Sequence, residues 1–451
     1  MEITNAVKKN EKKLVTSIQE LIQINSVKNE TPVTIDAPFG KGAKDSLLYV
    51  LKLGKEMGFE VKLVDNVAGH IDFGQGDEII GILGHVDVVP ASGEWDYPPF
   101  SGKLVDGKIY GRGAIDDKGP VICALYAMKV LKDLGFTPKK KVRLIIGTDE
   151  ETGWECMRRY AKFEKLPEVG FSPDASFPVI HGEKGIMSID LVSSYVEDEI
   201  VAFTAGDRYN VVPDKAEALI KKNLEHEFLD YLKENDLKGE VSKENNLYKL
   251  TVYGKTAHGS APYLGVNAAI KLACFLSDYL TNPVVNFVSD KMKDPYFRGM
   301  GLDYQNEKMG HLTVNLAKIE INPKGNKIGL NLRYPIDFPK EEFLKKLHLE
   351  VSEYGFKFEI LSDQTPHYVD PNEELVQTLF ASYKKYTNDE EGKPFTIGGG
   401  TYARILKKGV SFGPTFAHTV ANIHEPNEYI TVEDCLLGTM IYADAIKELS
   451  K

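Results

Sequence analysis

Ile79-Ile80-Gly81-Ile82-Leu83-Gly84 runs directly into His85-Val86-Asp87. The first six residues form a short, unbroken apolar run, the pattern of a strand buried on both faces. Val142-Arg143-Leu144-Ile145-Ile146-Gly147 is a second such run. Between them, Val121 to Leu131 is apolar with a helical period. Pro120 stands at a first helical position, where no backbone N–H is needed. Strand, helix and strand in this order predict an α/β domain built on a largely parallel sheet.

On the N-terminal side, Val7, Leu14, Ile18, Leu21 and Ile22 share one helix face. A second helix is expected from about Ala43 to Met57, stopping at Gly58. On the C-terminal side the pattern changes. Leu250-Thr251-Val252-Tyr253, Leu312-Thr313-Val314-Asn315-Leu316 and Ile328-Gly329-Leu330-Asn331-Leu332 alternate apolar and polar, which predicts antiparallel strands with one solvated face. Helical stretches lie near Asn267 to Tyr279 and Glu341 to Glu353. A buried-strand pattern returns at Val410-Ser411-Phe412, followed by a terminal helix near Glu433 to Glu448. The simplest arrangement is a discontinuous α/β domain, residues 1–184 and 369–451, interrupted by an inserted α+β domain at 185–368.

Composition narrows the function classes. At roughly 150 residues per domain, 451 residues suggest two or three domains. Apolar residues make up 42% and charged residues 27%, which excludes a fibrous or mainly disordered chain. Lys and Arg total 55 against 66 Asp and Glu, a net charge of −11 that disfavours nucleic-acid binding. The cysteines Cys123, Cys156, Cys274 and Cys435 are far apart and form no Cys-x-x-Cys pair, so neither a disulfide framework nor a thiolate zinc site is expected. The opening MEITNAVKKNEKK lacks the apolar core of a signal peptide, and no apolar run approaches the ~18 residues of a membrane span. A cytoplasmic protein that binds neither membrane nor nucleic acid is the expectation.

Five short motifs carry chemistry. His85 follows a buried strand, at the strand end where open α/β sheets bind ligands, and Asp87 is placed to accept the ring's other N–H. Alone, this is also how an ordinary strand-end histidine looks. Asp116-Asp117 stand beside a glycine-rich turn before a helix, and helix capping accounts for one of them. Asp149-Glu150-Glu151 follow the second buried strand and need a cation or a shared proton, unless they form a solvated acidic loop. Asp174 in Phe171-Ser172-Pro173-Asp174-Ala175 and His424 in His424-Glu425-Pro426-Asn427-Glu428-Tyr429 are weak signals singly. Together they form a mixed nitrogen and oxygen donor set suited to zinc, manganese or cobalt, and too rich in nitrogen for calcium. A carboxylate shared by two ions is the usual frame of a two-metal hydrolytic site, with one glutamate ligating and its neighbour free as general base.

The ordered motifs GHVDVVP, GRGAIDDKG and GTDEETG resemble the M20 family of co-catalytic metallopeptidases. GKTAHGSAPYLGVNAA around His258, LNLRYP around Arg333 and HEPNEYI around His424 extend the resemblance over nearly the whole chain. AGHIDFGQGDEIIGILGHVDVVP and the long insert are most similar to its dipeptidase V branch, the Xaa-His or carnosinase-like dipeptidases. The resemblance implies a zinc-peptidase α/β domain carrying an inserted lid. It implies that Asp116 bridges two divalent ions, zinc first, with manganese and cobalt also fitting, and that the Asp116-Asp117 bond is cis. His85 and Asp174 would complete one metal site, Glu151 and His424 the other. Glu150 would be the general base toward a water activated by both ions, and Asp87 would orient His85. From the lid, which would close over the substrate, His258 would stabilise the oxyanion and Arg333 would pair with the substrate's terminal carboxylate. Asn210 would add a lid contact, and Gly399 and Gly400 backbone N–H groups. His418 lies near His424 but lacks the Glu-Pro-Asn-Glu-Tyr sequel, so His424 is preferred. The implied reaction is hydrolysis of unmodified dipeptides. The alternative is removal of an acyl group from an N-acyl amino acid, of succinyl-diaminopimelate or acetylornithine type. The long insert would supply His258 in cis, which allows an active monomer without excluding a dimer.

Overall fold

Ile79–His85 and Lys141–Gly147 are parallel neighbours, in a register that sets His85 beside Gly147. Their apolar runs are unbroken because both faces are covered. Ile80, Ile82, Leu144 and Ile146 enter one core, while Leu83 and Ile145 enter another. The computed structural model from which this architecture is read describes residues 2–195, 199–420 and 422–451. The strand order is Glu60–Val64, Ala68–Phe73, Lys141–Gly147, Ile79–His85, Val169–Ser172, Lys408–Ser411, Ile180–Glu183 and His367–Tyr368. The central four, from Lys141–Gly147 to Lys408–Ser411, are mutually parallel. The hairpin Glu60–Phe73 adds antiparallel strands at one edge.

Helices Glu2–Ile22, Lys118–Asp133 and Val432–Leu449 contribute to the first core, and Glu155–Phe163 to the second through Cys156, Met157 and Tyr160. Lys118–Asp133 starts earlier than the sequence suggests, so Pro120 is its third residue and not its first. The helix tolerates this, because first-turn N–H groups have no intrahelical acceptor. Gly84 is required sterically. A Cβ there would lie 2.6 Å from Asp117 Oδ2 and 2.5 Å from Val121 Cγ2.

Two compact units divide the chain: Met1–Gly182 with Tyr368–Phe395 and Gly400–Lys451, and Glu183–His367 with Thr396–Gly399. The second unit carries an antiparallel sheet ordered Lys238–Glu244, Leu247–Tyr253, Lys215–Ile220, Ile200–Ala205, Thr313–Asn322, Gly325–Tyr334, Gly185–Ser193 and Lys357–Gln364. Ala268–Ser277, Pro283–Lys291 and Lys340–Ser352 pack into its core, and Asn267 caps the first of these helices by accepting from Ala269 and Ile270 N–H groups. One expectation fails here. The polar residues of the central strands are not solvated: Thr313, Asn315, Asn331 and Arg333 are all buried. Two chain segments cover them. Asn315 Nδ2 donates to the carbonyls of Tyr209 and Val211, and Thr313 Oγ1 donates to that of Ser260. Among the described residues, no helix is long and apolar enough to cross a membrane.

Candidate metal centre

The parallel strands deliver the acidic motifs to one edge of their sheet. Ile79–His85 ends in His85, Lys141–Gly147 leads into Thr148 to Glu151, and Val169–Ser172 leads to Asp174. Asp116 stands two residues before helix Lys118–Asp133, and the Asp116-Asp117 peptide is cis. His424 arrives on a loop with φ 64°, a left-handed backbone that disfavours non-glycine residues and is concentrated at functional sites.

Asp116 lies at the middle of this group. Its Oδ1 is 3.1 Å from His85 Nε2, and its Oδ2 is 2.9 Å from His424 Nε2. His424 Nε2 is also 3.1 Å from Glu151 Oε1, and His85 Nε2 is 3.6 Å from Asp174 Oδ2. Ligand-capable atoms of His85, Asp116 and Glu151 fall within 4.8 Å of one another, as do those of His85, Asp117 and Asp174. Thus His85, Asp116, Glu151, Asp174 and His424 come together from sequence positions far apart. His418 does not join them. Its Nε2 sits 2.9 Å from Asp434 Oδ1.

Other residues brace the cluster. The His85 ring turns Nδ1 to the carbonyl oxygen of Asp87 at 2.9 Å, with the Asp87 carboxylate 3.5 Å away. That carboxylate accepts the backbone N–H groups of Glu150, at 3.0 Å, and Glu151, at 3.1 Å. Asp149 faces elsewhere. It binds Lys28 Nζ at 2.7 Å and accepts the Glu155 N–H at the start of the following helix. Glu428 was not singled out by the sequence. It is fully buried, binds Arg112 Nη1 at 2.6 Å, and accepts N–H groups from Ile115 and Asp116. It lies within HEPNEYI and Arg112 within GRGAIDDKG, but only the fold shows that those motifs meet. Asp117, fully buried, accepts the His85 N–H at 3.1 Å through Oδ2, while its Oδ1 has no hydrogen-bond partner among the described residues.

The second unit gathers a different set. Val211 and His258 form an isolated antiparallel bridge, and the Asn210 carbonyl accepts the Gly259 N–H at 2.7 Å. Arg333 donates from Nε to Asn331 Oδ1 at 2.8 Å and from Nη1 to the Gly398 carbonyl at 2.6 Å. Asn210, His258 and Arg333 are therefore each tied to a neighbouring segment. Gly399, the last residue of this unit, and Gly400, the first of the next stretch of the other unit, are both half-buried.

Residues 81–448 match the model of peptidase family M20/M25/M40. The chain belongs to this family. A Staphylococcus epidermidis protein described as a "putative dipeptidase" is 42% identical over 457 residues, covering 97% of each chain. Among solved structures, human carnosine dipeptidase 1 shares the fold with TM-score 0.60 at 14% identity, covering 100% of this chain and 99% of its own. The aminoacylhistidine dipeptidase of Vibrio alginolyticus gives TM-score 0.57 at 14% identity, covering 97% and 96%. As a member of the M20 family, the protein is a hydrolase of the metallopeptidase class and depends on a metal.

The electrostatics of this M20 cluster fit a cation. Burial raises the carboxyl of Asp174 to about 7, and the charge of Asp116 adds to the effect. Burial, then the charge of Asp174, pushes Glu150 well above the usual carboxylate range. Burial also raises Asp117 and Glu151. Asp116 moves the other way: burial disfavours its charge, but His424 and His85 donate to it and hold it well below the usual range. Burial opposes charge on His424 as well, yet Asp116 and Glu151 raise it to about 11. Five carboxyl groups crowd two imidazoles, so the cluster stays ionised only with added positive charge. The unpartnered Asp117 oxygen and the mixed nitrogen and oxygen donors suit a transition-series ion.

Proposed function

We propose that the protein is a dipeptidase that cleaves the peptide bond of unmodified dipeptides with two divalent ions. The observation that carries this reading is the Asp116 carboxylate, which turns one oxygen to His85 Nε2 and the other to His424 Nε2. Such a carboxylate could serve both ions: His85 and Asp174 would hold one with it, and Glu151 and His424 would hold the other. Zinc suits these donors best, and manganese or cobalt also fit. When bound, the ions supply positive charge at the reacting carbonyl and lower the pKa of water.

The remaining steps belong to side chains. Glu150 lies outside the ligand set, and its raised carboxyl suits a base that takes a proton from the attacking water and passes it to the leaving amine. Asp87, accepting both the Glu150 and Glu151 N–H groups, fixes the loop on which ligand and base are neighbours. His258 donates to the oxygen of the scissile carbonyl as negative charge develops. Arg333, braced by Asn331 and Gly398, pairs with the terminal carboxylate through its planar fork. Asn210 and the N–H groups of Gly399 and Gly400 add substrate contacts. The 42% identical relative carries a dipeptidase description, which supports this substrate class.

A hydrolysis assay on metal-stripped protein, reloaded with zinc or with manganese, tests the reading. Dipeptides, including β-Ala-His, are expected to be cleaved, while tripeptides and N-acyl amino acids are spared. Cleavage of N-acyl amino acids alone would replace the dipeptidase reading with a deacylase.

A further inference from the structure

We infer that Ser260 is a positioning residue that holds the imidazole of His258 in the tautomer with its proton on Nε2. The inference rests on the reading of His258 as the donor to the developing oxyanion. His258 Nδ1 lies 2.6 Å from Ser260 Oγ and 3.2 Å from the backbone N of Ser260. A backbone N–H can only donate, so Nδ1 receives it through its lone pair. The Ser260 hydroxyl then donates to the same lone pair, and the ring proton must reside on Nε2. Protonating Nδ1 would set two N–H groups against each other. The result is a ring that turns an N–H donor at Nε2 away from Ser260, as donation to a developing oxyanion needs.

Ser260 is itself fixed from two sides. Its carbonyl accepts Thr313 Oγ1 at 3.2 Å. Gly398 packs so closely that a Cβ there would lie 2.7 Å from Ser260 Cβ. Thr313 pairs in register with Arg333, and the Gly398 carbonyl holds Arg333 Nη1. The same short network therefore places both the Nε2 donor of His258 and the guanidinium of Arg333. The glycine between His258 and Ser260 has a structural reason too. A Cβ at Gly259 would approach the Asn210 backbone to 3.0 Å, crowding the turn that folds Ser260 back on the ring.

The test is ring 15N NMR of the full-length zinc-loaded protein, with the His258 signals assigned by their loss in His258→Ala, combined with kcat and KM on a dipeptide. Wild type is expected to show Nε2 protonated and Nδ1 bare. Ser260→Cys keeps the shape but weakens the donor, and Ser260→Ala removes it. Both leave the more distant backbone N–H, at 3.2 Å, as the donor to Nδ1 from this residue, so the fraction protonated on Nδ1 should rise and kcat should fall about fivefold to tenfold, with KM nearly unchanged, the loss of one neutral hydrogen bond. A wild-type ring protonated on Nδ1 would overturn the proposal. So would Ser260→Cys with full activity and an unmixed tautomer, which would reduce Ser260 to packing. Normal kcat in His258→Ala would instead refute the oxyanion reading, while the wild-type tautomer still judges the role of Ser260.

Discussion

The protein carries two polar clusters of opposite electrostatic character. In the first unit, Asp116, Asp117, Glu150, Glu151 and Asp174 crowd His85 and His424, and burial drives several of these carboxyls toward holding protons. In the second, Asn315, Thr313 and Arg333 are equally buried but bonded to carbonyls and amides. Hydrogen bonds from Asn315 Nδ2, Thr313 Oγ1 and the Arg333 guanidinium hold this second cluster in shape. The first carries repulsion that is relieved by protons on several carboxyls or by a cation. The two clusters thus share burial and hydrogen bonding, but the first crowds carboxyl groups together, whereas in the second an amide, a hydroxyl and a guanidinium donate to oxygen acceptors.

Perturbations of each cluster can sharpen or break this contrast. The largest effect is expected at Glu150. Glu150→Gln should lower kcat by about 10²- to 10⁴-fold while bound metal, measured by elemental analysis, is unchanged. Metal loss in step with activity would make Glu150 a ligand. Arg333→Lys should follow, raising KM for dipeptides about 10- to 100-fold with little change in metal content, because a point charge replaces a planar fork. If dipeptide amides and free dipeptides are cut equally well by wild type, the carboxylate role of Arg333 fails.

Metal removal should come next. At about 100 times its Kd an ion adds about 2.7 kcal/mol of stability, or roughly 5–10 °C in Tm. The gap should widen as pH rises from about 4 to about 7. In the metal-free state Asp174 is raised to about 7, so the folded protein binds more protons than the unfolded chain and loses stability as those protons leave. A gap that narrows with rising pH, read by scanning calorimetry, would contradict the charge argument. The smallest effect is expected at His418, which is exposed and paired with Asp434. His418→Ala should keep kcat/KM within about twofold, as surface changes usually do.

Much of the fold is readable in sequence where one segment contains its own signal. Ile79–His85 announces itself by an unbroken apolar run, and its two-sided burial is the reason. The antiparallel hairpin Glu60–Phe73 escaped notice because its outer strand is mostly exposed and lacks such a run. The buried polar face of the second unit was misread as solvated, because the covering segments near Tyr209 and Ser260 are distant in sequence. Glu428 shows the same limit in the candidate site. Its buried pairing with Arg112 spans most of the chain, and neither motif alone reveals it. Local chemistry is legible one motif at a time, whereas bracing between motifs waits for the fold.

The central claim is that Asp116 joins two ion sites. Metal content per chain, measured after dialysis against zinc in wild type and in Asp116→Ala, His424→Ala and His418→Ala, tests it most directly. Two ions in wild type and His418→Ala, one in His424→Ala and fewer than one in Asp116→Ala would agree with the account. A single ion in wild type, or two retained in Asp116→Ala, would contradict it.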